Sequence, residues 1–100
     1  MKRFIAIGIA LNLFSCVSGP RPIQDLAIAR AAIEAARLVE APRHSPSHLK
    51  LAEDFYLQGQ KHMEARDYSR ARRAFAESRK SAERAENTAR VQRQKLGEDF

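Results

Sequence analysis

Between residues 67 and 92 the small and apolar side chains fall at Tyr68, Ala71, Phe75, Ser78, Ala82, Ala85 and Ala89, a strict alternation of three- and four-residue steps. Such spacing draws one continuous seam along an α-helix. A helix whose seam is aromatic at one end and alanine at the other is not stable alone, because most helical stability comes from packing the seam against neighbours. The chain must supply partners, and two upstream stretches qualify, residues 22–41 and residues 47–65. The expected fold is all-α: a three-helix antiparallel, alanine-rich bundle or extended helical hairpin over residues 23–96, ending in a frayed tail at residues 97–100.

The first partner carries Leu26, Ala29, Ile33 and Ala36 on one face, widened by Ile28, Ala32 and Val39, with Asp25, Arg30, Glu34 and Arg37 on the rest. Pro42 disfavours helical geometry at Ala41 and sets its end. Residues 42–47 read as a loop in which Ser45 before Pro46 fits an N-cap with proline at the first helical position, Ser47 being the competing cap. The second partner aligns Leu49, Ala52, Phe55, Tyr56, Gly59 and Met63 in one stripe. Glycine in mid-helix costs about 1 kcal/mol relative to alanine, so something packs very closely at Gly59. A short turn at Arg66 and Asp67 makes the last two helices antiparallel neighbours. The packing seam is therefore assigned to Phe55, Tyr56, Gly59, Tyr68, Ala71 and Phe75. Residues 23–100 hold only seventeen Val, Ile, Leu, Met, Phe and Tyr side chains. A core that small is marginal by itself, and self-association or a larger protein partner is expected.

The N-terminus gives a cellular address. Lys2 and Arg3 precede an eleven-residue stretch, residues 4–14, apolar except for Gly8 and Asn12. It is too short to cross a bilayer of roughly 30 Å as a helix and reads as a signal peptide over residues 1–15. Leu13, Phe14, Ser15 and the lone cysteine, Cys16, resemble the bacterial lipobox, with Phe14 a departure from its usual small or aliphatic residue. The lipoprotein class implies cleavage before Cys16, lipid attachment to its sulfur, and a linker over residues 16–22 that holds the first helix near the membrane. Several acyl chains make such an anchor essentially permanent. Val17, in place of the aspartate that marks inner-membrane retention in that class, implies the periplasmic face of the outer membrane. The competing readings are an ordinary signal peptide cut near Ser18 or Gly19, leaving a soluble periplasmic protein, and an uncut N-terminal anchor.

Two further resemblances concern the helical part. Ala52, Phe55, Gly59, Asp67, Tyr68, Ala71 and Phe75 fall at the spacing of a single tetratricopeptide-type helical hairpin, with departures at Gln58, Arg66, Ser78 and Glu83. Such stacks need three or more units, so the likeness extends to the hairpin and not to the superfamily. The succession of a signal with Cys16, Pro22 before an alanine-rich helix, Ala41 and Pro42 in the loop, then Leu49, Ala52 and the turn at Asp67, Tyr68 and Ala71 resembles domain of unknown function 4398. That domain is an alanine-rich element of bacterial envelope lipoproteins. The resemblance implies an envelope role and supplies no catalytic residue.

Composition narrows the chemistry. The formal charge of +6 falls once the leader is discounted: without Lys2 and Arg3, sixteen basic side chains face twelve acidic ones. His44 and His48 are separated by Pro46 and His62 is on another helix, so no metal site is assigned and the histidines read as solvated loop or surface residues. Arg79 with Glu83 and Glu86 with Arg90 are helix-supporting pairs rather than acid and base. No glycine-rich phosphate loop or Ser-His-Asp spacing is present, and neither catalysis nor a cofactor is expected. The feature above background is a basic cluster, of which Arg66, Arg70, Arg73 and Arg84 project from neighbouring faces of the third helix. It is read either as the solvated side of a packed helix or as a contact for peptidoglycan, lipopolysaccharide or an acidic protein surface. Nucleic acid is disfavoured because the signal peptide takes the chain out of the cytoplasm. The sequence thus points to a lipid-anchored, non-catalytic interaction or scaffold module of the envelope, with an anionic-polymer binder as its rival.

Overall fold

The computed structural model describes residues 20–97, so Cys16, the rest of the leader and the last three residues lie outside the described part of the chain. Four helices follow in order, α1 Ile23–Leu38, α2 Ala41–His44, α3 Pro46–Glu64 and α4 Tyr68–Lys95. No strand occurs among the described residues, and none of their helices is long and apolar enough to cross a membrane.

The long helix α4 has 28 residues, about 42 Å at 1.5 Å per residue. Both α1 and α3 pack along it and touch each other far less. Six of the seven seam positions, Ala71, Phe75, Ser78, Ala82, Ala85 and Ala89, are buried, and so are Ala74 and Ser81. The buried stripe is wider than the seam because α4 meets two helices rather than one. Tyr68, at the rim, is only half-buried.

Helix α1 stops earlier than expected. Val39 N–H and Glu40 N–H donate to Ala36 O and Arg37 O, tightening the last turn, and Glu40 adopts left-handed geometry at φ 62°. The stretch expected as a loop then forms the single turn α2, in which Pro42 occupies the first turn. Proline is tolerated there because the first N–H groups of a helix have no partner inside it. Three long helices are thus joined by a fourth, short one. Ser45 is the residue before α3 and Pro46 its first residue, which displaces Ser47 as the cap. Yet the Ser45 hydroxyl makes no capping bond and is buried without a partner.

The turn between α3 and α4 places Arg66 in left-handed geometry, φ 59°. Asp67 closes it by accepting a 3.2 Å hydrogen bond from Arg70 N–H, which satisfies one of the orphan donors at the start of α4. The core then divides into two adjoining clusters. Near this turn Ala29, Ala71 and Phe75 pack with Leu26, Tyr56 and Met63. At the other end Ile33, Ala36, Val39, Ala41 and Leu49 surround Ala52, Ala82, Ala85 and Ala89. This pairing fixes direction: α1 runs alongside α4 in the same sense, and α3 runs antiparallel to both, packed mainly on α4. Tyr56 touches both clusters. Ile28, expected to widen the packed face of α1, is instead 53% exposed.

Candidate functional site

Phe75 and Gly59 set the closest approach in the bundle. A Cβ on Gly59 would stand 2.5 Å from Phe75 Cε1 and 2.6 Å from Cδ1, so only a residue without a side chain lets this ring reach the α3 backbone. Phe75 is 1% exposed, and its ring centroid lies 5.8 Å from that of Tyr56 at a 55° tilt. Ser78, where the hairpin motif favours alanine, sends its hydroxyl across to the carbonyl of Ala52 at 2.7 Å. Phe55 stays half-buried at the edge of this interface. The residues assigned to the seam thus meet around the α3–α4 contact, with Phe55, Tyr56 and Tyr68 partly open to solvent.

Tyr56 also belongs to a brace that the sequence did not disclose. Arg30 on α1 donates to its hydroxyl from Nε at 3.1 Å and from Nη2 at 2.9 Å, and its Cζ lies 5.9 Å from the ring centroid. Further along α1, Arg37 pairs with Glu53 at 2.9 Å. These contacts span a groove of about 400 Å³ between α1 and α3, lined also by Ile33 and Leu57. Both arginines are engaged, so the groove is a cross-tie between helices and not a cradle of free charge. The available signal was Tyr56 itself: a tyrosine on a packed stripe usually finds a partner for its hydroxyl.

The basic cluster is not one surface. Arg72, on the flank beside α1, donates to the carbonyl of Pro20 at 2.6 Å. Arg79 pairs with Glu83 at 2.9 Å, Lys80 with Glu77 at 3.5 Å and Arg70 with Asp67 at 3.4 Å. Arg66, Arg73 and Arg84 are exposed and have no ion pair among the described residues. Arg66 sits in the turn and not on the helix, which corrects its place in the stripe. Arg73 lines a shallow depression with Phe55, Gln58, His62 and Arg70. The exposed pairs here are worth a few tenths of a kcal/mol each, so they trim the charge of the face more than they stabilise it.

The histidines behave unequally. His44 is not a solvated loop residue: its side chain is 6% exposed, with Nε2 3.8 Å from Glu40, because the unexpected turn α2 folds it inward. His48 and His62 are half-buried on α3. Among the described residues no three His, Cys, Asp or Glu side chains come together in a way that could hold a metal ion. The geometry offers helix faces, a braced groove and separated cations, an arrangement suited to contact over a surface.

A family model described as Domain of unknown function (DUF4398) matches residues 24–98, from the first turn of α1 to just beyond the end of α4. No curated protein matches the chain, and no solved structure does.

Proposed function

The chain belongs to the DUF4398 family, and from that premise we propose that it is a non-catalytic, lipid-anchored interaction or scaffold module of the bacterial cell envelope. In this reading residues 1–15 are a signal peptide, Cys16 carries the lipid, and the helical body faces the periplasm from the outer membrane. The observation that carries it is the attachment of the N-terminal segment. The Pro20 carbonyl is held by Arg72 only four residues after the lipobox-like cysteine. Four extended residues reach at most about 14 Å, so an anchored Cys16 would hold the α1 end of the bundle close to the bilayer. The test is the intact mass of the protein from the membrane fraction of its native cells. A mature species beginning at Cys16 with added acyl mass, lost in Cys16→Ser, is expected; an unmodified soluble species would remove the anchor.

A second reading has its own observation. Arg66, Arg73 and Arg84 are exposed and unpaired among the described residues, which suits an anionic envelope polymer such as peptidoglycan or lipopolysaccharide, with Arg70 sharing its charge with Asp67. Charge-led binding weakens steeply as salt rises, while a packed protein interface does not. Sedimentation with purified peptidoglycan across a salt series separates them. Binding that survives high salt, or that persists in the Arg66→Ala/Arg73→Ala/Arg84→Ala variant, excludes the polymer reading.

A further inference from the structure

The two ends of the rod carry their charge differently. At the end where the described chain enters, Arg72 holds the Pro20 carbonyl and shares a shallow depression with Arg21. Arg70 and Arg73 share another depression with His62, near the end of α3. Lys61 and Arg66 complete the group, so six bases outnumber three acids there, Asp25, Glu64 and Asp67. The one ion pair at this end is Arg70 with Asp67. Arg21, Lys61, Arg66 and Arg73 are exposed and have none among the described residues. Over the rest of the rod bases are mostly matched: Arg37 with Glu53, Lys50 with Asp54, Arg79 with Glu83 and Arg90 with Glu86.

Tether length and charge together indicate what this end meets. Pro20 follows Cys16 by four positions, and so short a stretch reaches at most about 14 Å, which keeps an anchoring membrane beside this end and away from the other. The hairpin tip projects further still: α4 begins at Tyr68, one turn before Arg72, about 6 Å nearer the end of the rod. An anionic bilayer surface attracts bases held next to it. Tyr68, half-buried at the rim, is of the residue type that settles at headgroup level. Arg84, by contrast, lies about 16 Å beyond Arg73 along α4, with Glu77 and the paired Lys80 in between. The exposed arginines thus gather at one end and do not form the continuous track that a polymer chain would follow.

We propose that the basic end of the rod, centred on Arg66, Arg70 and Arg73, docks on the phosphate headgroups of anionic phospholipid in the membrane that holds the anchor. The helices then stand away from the bilayer with α2 at the distal end. The proposal deepens the lipid-anchored reading and rests on it, because a few exposed cations hold a surface only while a tether keeps them beside it.

The test uses the full-length chain, purified from its native membranes and reconstituted into vesicles of phosphatidylcholine with or without phosphatidylglycerol. A fluorophore is placed on the thiol introduced by Ser69→Cys, an exposed position in the first turn of α4, or by Asn87→Cys, about 27 Å further along that helix. Quenching by headgroup spin-labelled lipid reads contact with the bilayer surface. It is expected at Ser69 with phosphatidylglycerol and not without it, fading as salt rises, and at Asn87 in neither case. Each such cation contributes about fivefold, so Arg66→Gln/Arg70→Gln/Arg73→Gln should lower the docked-to-free ratio on the order of a hundredfold. Arg66→Lys/Arg70→Lys/Arg73→Lys should dock like the parent. The proposal is overturned if neutral vesicles quench Ser69 as well as anionic ones, if Asn87 is quenched equally, or if the glutamine variant docks undiminished. It also falls if neither vesicle quenches Ser69 while purified peptidoglycan shields it from soluble iodide, since the surface then belongs to the polymer. Intact mass of the same samples reads Cys16 separately. Docking with unacylated Cys16 would sink the anchor alone, and acylated Cys16 with a Ser69 label blind to lipid charge would sink the docking alone.

Discussion

At the scale of single residues, one pair governs the packing: Gly59 gives up its side chain so that Phe75 can fill the space. Phe75→Ala should cost about 3–5 kcal/mol, much of the stability of a domain this small; a variant melting at the parental temperature would refute the contact. Gly59→Ala sets two effects against each other. Alanine gains about 1 kcal/mol in helix propensity, but its methyl would meet a buried ring that has nowhere to go, and overpacking costs about 1–3 kcal/mol. Net destabilisation is expected, relieved when Phe75→Leu is combined with it, as thermal melts of the single and double variants would show. A glycine in the middle of a helix was visible in the sequence as a demand for close approach. Ser78 was not, because nothing in one residue's identity says that its hydroxyl will cross to the Ala52 carbonyl of another helix.

At the scale of elements, two helix starts that look alike in sequence differ in structure. Asp67 accepts from Arg70 N–H, whereas the Ser45 hydroxyl caps nothing and is buried without a partner. Asp67→Ala should therefore cost about 1 kcal/mol, while Ser45→Ala should be neutral or stabilising, since it removes an unsatisfied buried group. Urea midpoints of the two variants check this, and equal losses would show that Ser45 is capped after all. The same local scale explains what periodicity could and could not deliver. Helix faces were legible because 3.6-residue spacing is imprinted on Ala29, Ile33, Ala36 and on the α4 seam. The turn α2 was not, because Pro42 reads equally as the end of one helix and the beginning of another, and the left-handed Glu40 that decides between them has no sequence mark. The Arg30–Tyr56 brace was hidden for a related reason: it joins positions 26 residues apart, a distance that patterning does not bridge.

At the scale of the whole molecule, α4 belongs to both core clusters, and Tyr56 ties them. The body should unfold as one cooperative unit, so slowly exchanging amides of Ala71 and Ala85 should share one opening free energy, while residues 90–95, beyond the last buried alanine, exchange faster. Distinct opening energies at Ala71 and Ala85 would mean two independent units. What no pattern supplied at this scale was the division of the arginines. The ion pairs that neutralise Arg70, Arg79 and Lys80, and leave Arg66, Arg73 and Arg84 without one among the described residues, depend on how the helix faces are arranged in space. The parallel course of α1 and α4 also has a mechanical side. The described chain comes in at Pro20, at one end of the rod, and leaves at Gly97, at the other. Tension between those two points slides α1 against α4 lengthwise, loading the contacts of the alanine seam together instead of peeling them apart one by one. A body wired in this way resists traction as a lap joint does, and the weight falls on the small side chains that let the two helices lie so close.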